Sequence, residues 1–422
     1  MNVLPVAGVD ISKRFSDMCI LTPDNQVFER VKIYHDTTSM ERALSSLQNA
    51  KHQFGIAPVI VMESTSHYHL ILFQFFTDAG FEVIVVNPLQ SNALKNINVR
   101  KIKNDKVDAY RLALLYRMNV LRRSQVPTDA LRSLRMLCRQ HYELKGDITR
   151  YKNRLIALLD QTFPGFNKVF CDAAAAGSLA ILVQYPTPMH ILSADPLDLA
   201  QIIRKASHKS QAYGQRKADR LVEAAVQAVR IGIHAPGDHV LIQSIITILK
   251  QLIEGVALID RQIQSLAKQN SYIQQNVDLL QTIPCVGMFS AAVILSEIGD
   301  FSLFSKPKQL AAYFGLDPSQ RQSGTMQSVR NKLSKRGSPY IRAVLYMIAH
   351  NTVHTNRFGS VANPVLAEFY QKKCQTKAPN VAICAVMHKI SNIIYAVLRD
   401  QRPFALRSPE SHARMLCLKM AA

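Results

Sequence analysis

Acidic residues are scarce in this 422-residue chain: 30 Asp and Glu stand against 51 Lys and Arg, a formal charge of +21. That imbalance argues against a cationic partner and for a polyanion, of which nucleic acid is the commonest. Long apolar runs are also missing. The longest candidate, AAAAGSLAILV at 173–183, falls short of the roughly 18 residues a spanning helix needs. This excludes a membrane-embedded chain and weakens the reading of the charge as attachment to an anionic membrane surface. The opening MNVLPVAGVD lacks the basic n-region of a signal peptide, so secretion is not expected. The seven cysteines (19, 138, 171, 285, 374, 384, 417) form no CxxC pair and no cluster with histidine. A disulfide framework and a zinc site are thereby excluded, and reduced thiols in a cytosol are expected. Hydrophobic residues make up 48%, enough for real cores, so wholesale disorder is excluded as well. The length suggests two or three domains.

Residues 1–125 read as α/β. VLPVAGVD, DMCILTP, VFERVKIY, PVIVME and FEVIVVNP are strand-like, with PDNQ as a turn. SMERALSSLQNA reads as a helix with Ser39 as N-cap, and SHYHLILFQFFTDAG as a helix closed by Gly80. NDKVDAYRLALLYRM continues in helical periodicity. Residues 126–270 change character. Leu134, Leu137, His141, Leu144, Ile148, Tyr151, Leu155 and Leu158 recur at steps of three and four, as do Ile245, Leu249, Leu252, Val256, Ile259, Ile263 and Leu266. That is the coiled-coil period, and it leaves open whether the two helices pair with each other or with another subunit. Between them, 161–240 reads as an insertion to which no chemistry attaches. Residues 271–422 read as helical. There Pro284 and Gly287 in TIPCVGMFS suggest the turn of a helix-hairpin-helix, whose helix N-terminus can meet a phosphate, or of a plain αα-hairpin.

Four acids stand out by placement. Asp10 ends the first strand and Glu63 a later one, while Asp105 and Asp108 lie three apart on one helix and face the same way. Parallel strands ending side by side bring their last residues together, and a helix over those ends can add two more carboxylates. Clustered carboxylates repel one another unless a hard divalent cation offsets the charge. Two such metals stabilise both the attacking and leaving oxygens of phosphoryl transfer. Taken singly, each acid also fits a turn or cap. The set is more informative because residues 91–123 hold nine Lys and Arg, Lys101, Lys103, Lys106 and Arg111 among them, against only Asp105 and Asp108.

A second feature is RQSGTMQSVRNKLSKRGSPYIR, 321–342, with six basic residues and no acid. Its Ser323-Gly324 pair reads either as an ordinary solvated turn or as a nucleophile offered to a phosphate. A serine hydroxyl needs activation to attack, and Arg321, Arg330, Lys332, Lys335 and Arg336 could offset the phosphate charge. Ser319, Ser328, Ser334 and Ser338 lie nearby, and Ser338 before Pro339 looks like a helix N-cap.

The order strand-Asp, strand-Glu, helical Asp-x-x-Asp resembles the RuvC-like branch of the ribonuclease H fold. GVDISK at 8–13, VMESTSHYH at 61–69, VNPLQ at 87–91 and KNDKVDAYRLA at 103–113 resemble the DEDD transposases. That group includes the Piv-type DNA invertases and the insertion-sequence recombinases guided by a bridge RNA. TIPCVGMFSAAVILSEIGD, LAAYFGLDPSQRQSG and SKRGSPYIRAVLY look like its second conserved domain. The resemblance implies a RuvC-like catalytic domain at 1–125, a coiled-coil middle, and a helical transposase domain at 271–422. It implies that Asp10, Glu63, Asp105 and Asp108 hold Mg²⁺, with Mn²⁺ as a substitute, and that Ser323 is the nucleophile. It further implies donor and target DNA, a structured guide RNA, and a tetramer in which serine and carboxylates meet from different subunits, in a bacterial cytoplasm at the nucleoid. A metal-only junction nuclease would need the acids without Ser323. A non-catalytic coiled-coil binder would need neither.

Overall fold

The computed structural model describes residues 4–63, 68–86, 105–118, 123–124, 128–318, 322–323, 326–327, 332–407 and 410–411, with backbone alone at 105–107, 123–124, 322–323 and 326–327. The chain divides into two compact units, Met1–Val126 and Pro127–Ala422.

The first unit is an α/β unit around a mixed six-stranded sheet of order β3-β2-β1-β4-β5-β6. β1 (Val6–Ile11), β2 (Ser16–Leu21) and β3 (Val27–Ile33) form an antiparallel meander. After α1 (Thr37–Phe54), β4 (Val59–Glu63) joins β1 in parallel. After α2 (His69–Asp78), β5 (Val83–Val86) joins β4 in parallel. α3 (Asp105–Arg117) follows, and β6 (Arg123–Ser124) pairs antiparallel with β5. Strand side chains alternate between two apolar layers. Ala7, Val9, Ile60 and Met62 pack with α1 and α2, while Val6, Cys19, Val59 and Val61 pack with Ala109, Leu112 and Ala113 of α3. The N-cap of α1 is Asp36, not Ser39: the Asp36 carboxylate accepts from the Ser39 amide at 2.7 Å, because the helix begins two residues before Ser39.

The second unit is helical. α4 (Asp129–Thr162) runs 34 residues, followed by the short α5 (Phe166–Val169), α6 (Ala176–Gln184), α7 (Pro188–Leu192), α8 (Pro196–Ser207), α9 (Gln211–Ile231) and the 32-residue α10 (Asp238–Gln269). Then come α11 (Ser271–Gln281), α12 (Met288–Ile298), a 3₁₀ turn at Phe301–Leu303 and α13 (Pro307–Tyr313). The short strands β7 (Gln322–Ser323) and β8 (Met326–Gln327) pair antiparallel, and α14 (Pro339–Val353), α15 (Pro364–Cys374) and α16 (Pro379–Asp400) follow.

The two heptad helices pack on each other. His141 Nε2 lies 3.1 Å from Asp260 Oδ1 across the seam, and a Cβ on Gly255 would touch Leu144 at 3.4 Å. Leu134, His141, Leu155, Leu249, Val256 and Ile263 of the heptads are buried. The segment 161–240 folds into a helical bundle with its own core of Phe163, Phe166, Leu182, Ile203 and Leu221, built on the end of the helix pair.

The expectation that no segment reaches membrane-spanning length is corrected by α10 and α16, which are long and apolar enough by composition, with mean hydropathies of 1.6 and 1.8 over 18 residues. Isolated polar residues break up their apolar runs, yet the average over each window stays high. α16 is a core helix through Val386, Ile390 and Ile394, whereas α10 buries one face against α4 and leaves Val240, Leu241 and Leu258 exposed.

Candidate active site

β1, β2 and β4 set three carboxylates at one level on one face. Asp10 stands opposite Asp17 in the β1–β2 pairing. Val9 pairs with Met62 in the β1–β4 register, so the next residue on each strand is Asp10 and Glu63. By the two-residue period, Asp10 shares a face with Val6 and Gly8, Glu63 with Val59 and Val61, and Asp17 with Cys19 and Leu21. This is the face that α3 covers. Glu63 is 6% exposed and Asp17 8%, and Asp10 is half-buried.

α3 brings the helical acids to the same region. Its residues Asp108, Ala109, Leu112 and Ala113 are buried. Gly8 allows backbone to pack on backbone: a Cβ there would stand 2.0 Å from the Ala109 carbonyl oxygen. At the far end of α3, Arg117 Nη2 donates to the carbonyls of Leu4 (2.7 Å) and Thr22 (2.6 Å), and Nη1 to Pro23 (2.7 Å) and Asn25 Oδ1 (2.6 Å). Leu4 precedes β1, so the C-terminus of α3 lies over the start of β1. Its N-terminus, with Asp105 and Asp108, therefore lies over the Asp10 end. Burial lowers the pKa of Arg117, whose acceptors are neutral, though nearby Asp24 offsets part of this.

Asp108 is 7% exposed, and Arg111 Nη1 donates to its Oδ1 at 3.3 Å. Arg111, expected on the nucleic-acid path, is thus engaged by a site carboxylate. Asp105 is the first residue of α3, and its side chain and that of Lys106 lie outside the described residues, as do Lys101 and Lys103. Among the described residues, no three Asp, Glu, His or Cys side chains gather into a metal cage. In donor chemistry, buried carboxylates on adjacent strand ends under a helix suit a hard divalent cation.

In the second unit, Ser323 is the last residue of β7 and faces Met326, with Gly324 and Thr325 between them in sequence. Pro318 bridges Leu333 in antiparallel sense, at positions that flank β7 and β8 in the sequence. Below that bridge, two turns lock together. Ser334 N donates to Asp317 O at 2.8 Å, and its hydroxyl to the Asp317 carboxylate. Gly315, at φ +71°, packs on the backbone of 335–337, and Gly337 packs on Tyr313 and Phe314. Arg342 donates to Phe314 O and Gly337 O. Lys332, Lys335 and Arg336 are exposed. Arg321, Gly324, Ser319, Ser328 and Arg330 lie outside the described residues, and the Ser323 side chain is likewise not described.

Two residues that follow Ser323 in the sequence take other places in the fold. Ser338 occupies the N-cap position of α14 as expected, but its hydroxyl makes no cap bond and is buried without a hydrogen-bond partner. Tyr340 donates its hydroxyl to Glu143 at 2.7 Å, which raises its pKa and makes it a poor nucleophile. In the TIPCVG turn, the left-handed residue is Cys285 (φ +65°), while Gly287 is the extended N-cap of α12. Asp17 and Arg117 escaped the sequence reading. The period-two pattern placing Asp17 on the α3 face was available, whereas nothing local marks Arg117.

Comparison with known proteins finds matches in both units. Residues 7–164 match the DEDD transposase family model of IS110 type, and residues 277–371 match that of the transposase IS116/IS110/IS902 family. The insertion element IS110 uncharacterized 43.6 kDa protein of Streptomyces coelicolor is 24% identical, over 85% of each chain. The insertion element IS116 uncharacterized 44.8 kDa protein of Streptomyces clavuligerus is 22% identical, over 95% of this chain and 96% of its own. The pilin gene-inverting protein of Moraxella bovis is 32% identical, over 37% of this chain and 47% of its own. With an amino-terminal and a carboxy-terminal model matched in order along one chain, the protein belongs to the IS110 family of DEDD transposases.

Proposed function

We propose that the protein is the recombinase of an insertion sequence, cutting and rejoining DNA through a covalent phosphoserine link. The observation that carries this reading is the common level of Asp10 and Glu63 on adjacent parallel strands beneath the helix bearing Asp108. The strand order of the first unit, an antiparallel meander followed by parallel strands, supports a RuvC-like reading of that unit.

Asp10, Glu63, Asp105 and Asp108 would hold Mg²⁺, or Mn²⁺ in its place, which when bound supplies charge neutralisation at the phosphate. Ser323 supplies the nucleophile. Its Oγ loses the hydroxyl proton and bonds to phosphorus, while the bond to the departing strand breaks and that strand leaves as a hydroxyl. A hydroxyl on the exchanged strand then attacks the phosphoserine and restores the serine. The phosphodiester energy is conserved in the link, so rejoining needs no ATP. Gly324 places no side chain against the phosphate. Arg321, Arg330, Lys332, Lys335 and Arg336 favour the charge that develops there, and Lys101, Lys103 and Lys106 the nucleic-acid backbone. The resemblance extends the proposal to a structured guide RNA, a tetramer and a bacterial cytoplasm. The inverting activity named for the Moraxella relative supports DNA inversion as the second reading, with the same chemistry.

Incubation with element-end DNA and Mg²⁺, with and without RNA from the element's non-coding flank, followed by denaturation, tests the proposal. A covalent protein–DNA adduct is expected. Free nicked ends would move the reading to a metal-only nuclease, and intact DNA under both conditions to a non-catalytic binder.

A further inference from the structure

The bundle between the heptad helices lies outside both family matches, which end at residue 164 and resume at 277. We propose that its α8–α9 hairpin is a sequence-independent binding surface for the phosphate backbone of duplex DNA flanking the exchange site. Residues 204–220 hold six cations, Arg204, Lys205, Lys209, Arg216, Lys217 and Arg220, against Asp219 alone. Asp219 accepts a hydrogen bond from Gln215. Among the described residues none of the six cations makes an ion pair. Lys217 has a local role, donating to Val169 O beside the Phe170 ring. Lys205, Lys209, Arg216 and Arg220 are exposed, and the last two stand one helical turn apart on α9.

The scaffold beneath them is closely packed. A Cβ on Gly214 would come within 2.5 Å of the Ala200 carbonyl oxygen, and one on Gly177 within 2.4 Å of Ser207 Oγ, so α6, α8 and α9 meet in close contact. Of the hairpin's two rings, Tyr213 is half-buried with Arg216 and Lys217 at 6.0 and 5.9 Å from its centroid, and His208 in the turn is exposed. Unneutralised cations on a closely packed surface, with a lone exposed histidine and no row of aromatic rings, suit a duplex backbone better than successive stacked bases of a single strand. The helix pair separates this bundle from the core beside the serine hairpin. From Cys138 to Leu155, its last and first core residues on α4, the rise is about 25 Å, or roughly seven base pairs of duplex.

The proposal rests on the recombinase reading only for which duplex is bound, and its test requires no chemistry. The test compares the full-length protein with the quadruple variant Lys205→Gln, Lys209→Gln, Arg216→Gln, Arg220→Gln, titrating a duplex DNA and, separately, a duplex RNA across a salt series. Each neutralised phosphate contributes about 0.9 to the slope of log affinity against log salt. The slope on DNA should therefore flatten by about 3 to 4, with an unchanged thermal melt because all four side chains are exposed. A flattening on RNA alone would overturn the assignment to DNA. Equal slopes for variant and parent on both duplexes would overturn the proposal, whether or not the protein forms a DNA adduct.

Discussion

Gly8 lies directly beneath Ala109: a Cβ on Gly8 would stand 2.0 Å from the Ala109 carbonyl oxygen and 2.8 Å from the Ala113 amide. β1 and α3, which carry Asp10 and Asp108, therefore meet backbone to backbone. Gly8→Ala must push the helix off the strand, at about 1–3 kcal/mol for an overpacked core. Strand cleavage should fall with a lowered melting temperature while nucleic-acid binding persists. Full cleavage and an unchanged melt would show that the close approach is dispensable.

Arg117 holds the other end of α3 through four acceptors. Arg117→Met should cost about 2–3 kcal/mol, the scale of one or two hydrogen bonds to a charged group. It should also raise the Mg²⁺ concentration needed for half-maximal cleavage, because the helix that sets Asp105 and Asp108 loses its axial stop. A loss of stability with an unchanged Mg²⁺ requirement would limit Arg117 to holding the fold.

Arg139 forks onto the Glu297 carboxylate at 2.7 and 2.9 Å, and its guanidinium lies over the Tyr340 ring. Glu297 is 4% exposed and Arg139 41%. Removing Arg139 strands a buried carboxylate, but water reaches the Arg side and lowers the usual cost of breaking a buried pair. Arg139→Met should lose about 2 kcal/mol by chemical denaturation. Arg139→Met with Glu297→Gln should recover part of it. No recovery in the double variant would show that Arg139 acts through its packing on Tyr340.

His141 is buried against Phe289, its Nδ1 lacks a hydrogen-bond partner, and burial holds its pKa below the usual 6.5 despite Asp260, with Lys145 adding to the depression. The folded state thus resists a proton that the unfolded chain accepts. Its contribution to stability is complete above pH 6.5 and is lost as pH falls from there through the folded value. The melting temperature should decline across that window, and less steeply in His141→Gln. Identical pH profiles for the two proteins would show that another group governs the decline.

Local pattern carried much of this structure. Asp10 and Glu63 could be found because strands buried on both faces make an acid near the end conspicuous. The heptads announced α4 and α10, yet a periodic stripe has no address, and only the fold shows that the two helices pack on each other. Arg117 could not be read locally because three of its four acceptors are backbone carbonyls, and all lie about ninety to a hundred and ten positions away. Asp36 displaced Ser39 as cap because both suit the position, and the helix start decides between them. The α8–α9 cations drew no attention in the sequence, where a charge run is usually a solvated face. Their closely packed scaffold and lack of acidic partners appear only in three dimensions.

The identity of the nucleophile is tested most directly by mapping the peptide that remains on DNA after the adduct is denatured and digested. The link should fall on Ser323, and Ser323→Ala should bind DNA normally yet form no adduct. A link at Ser319, Ser328 or Tyr340, or nicking that survives Ser323→Ala, would contradict it.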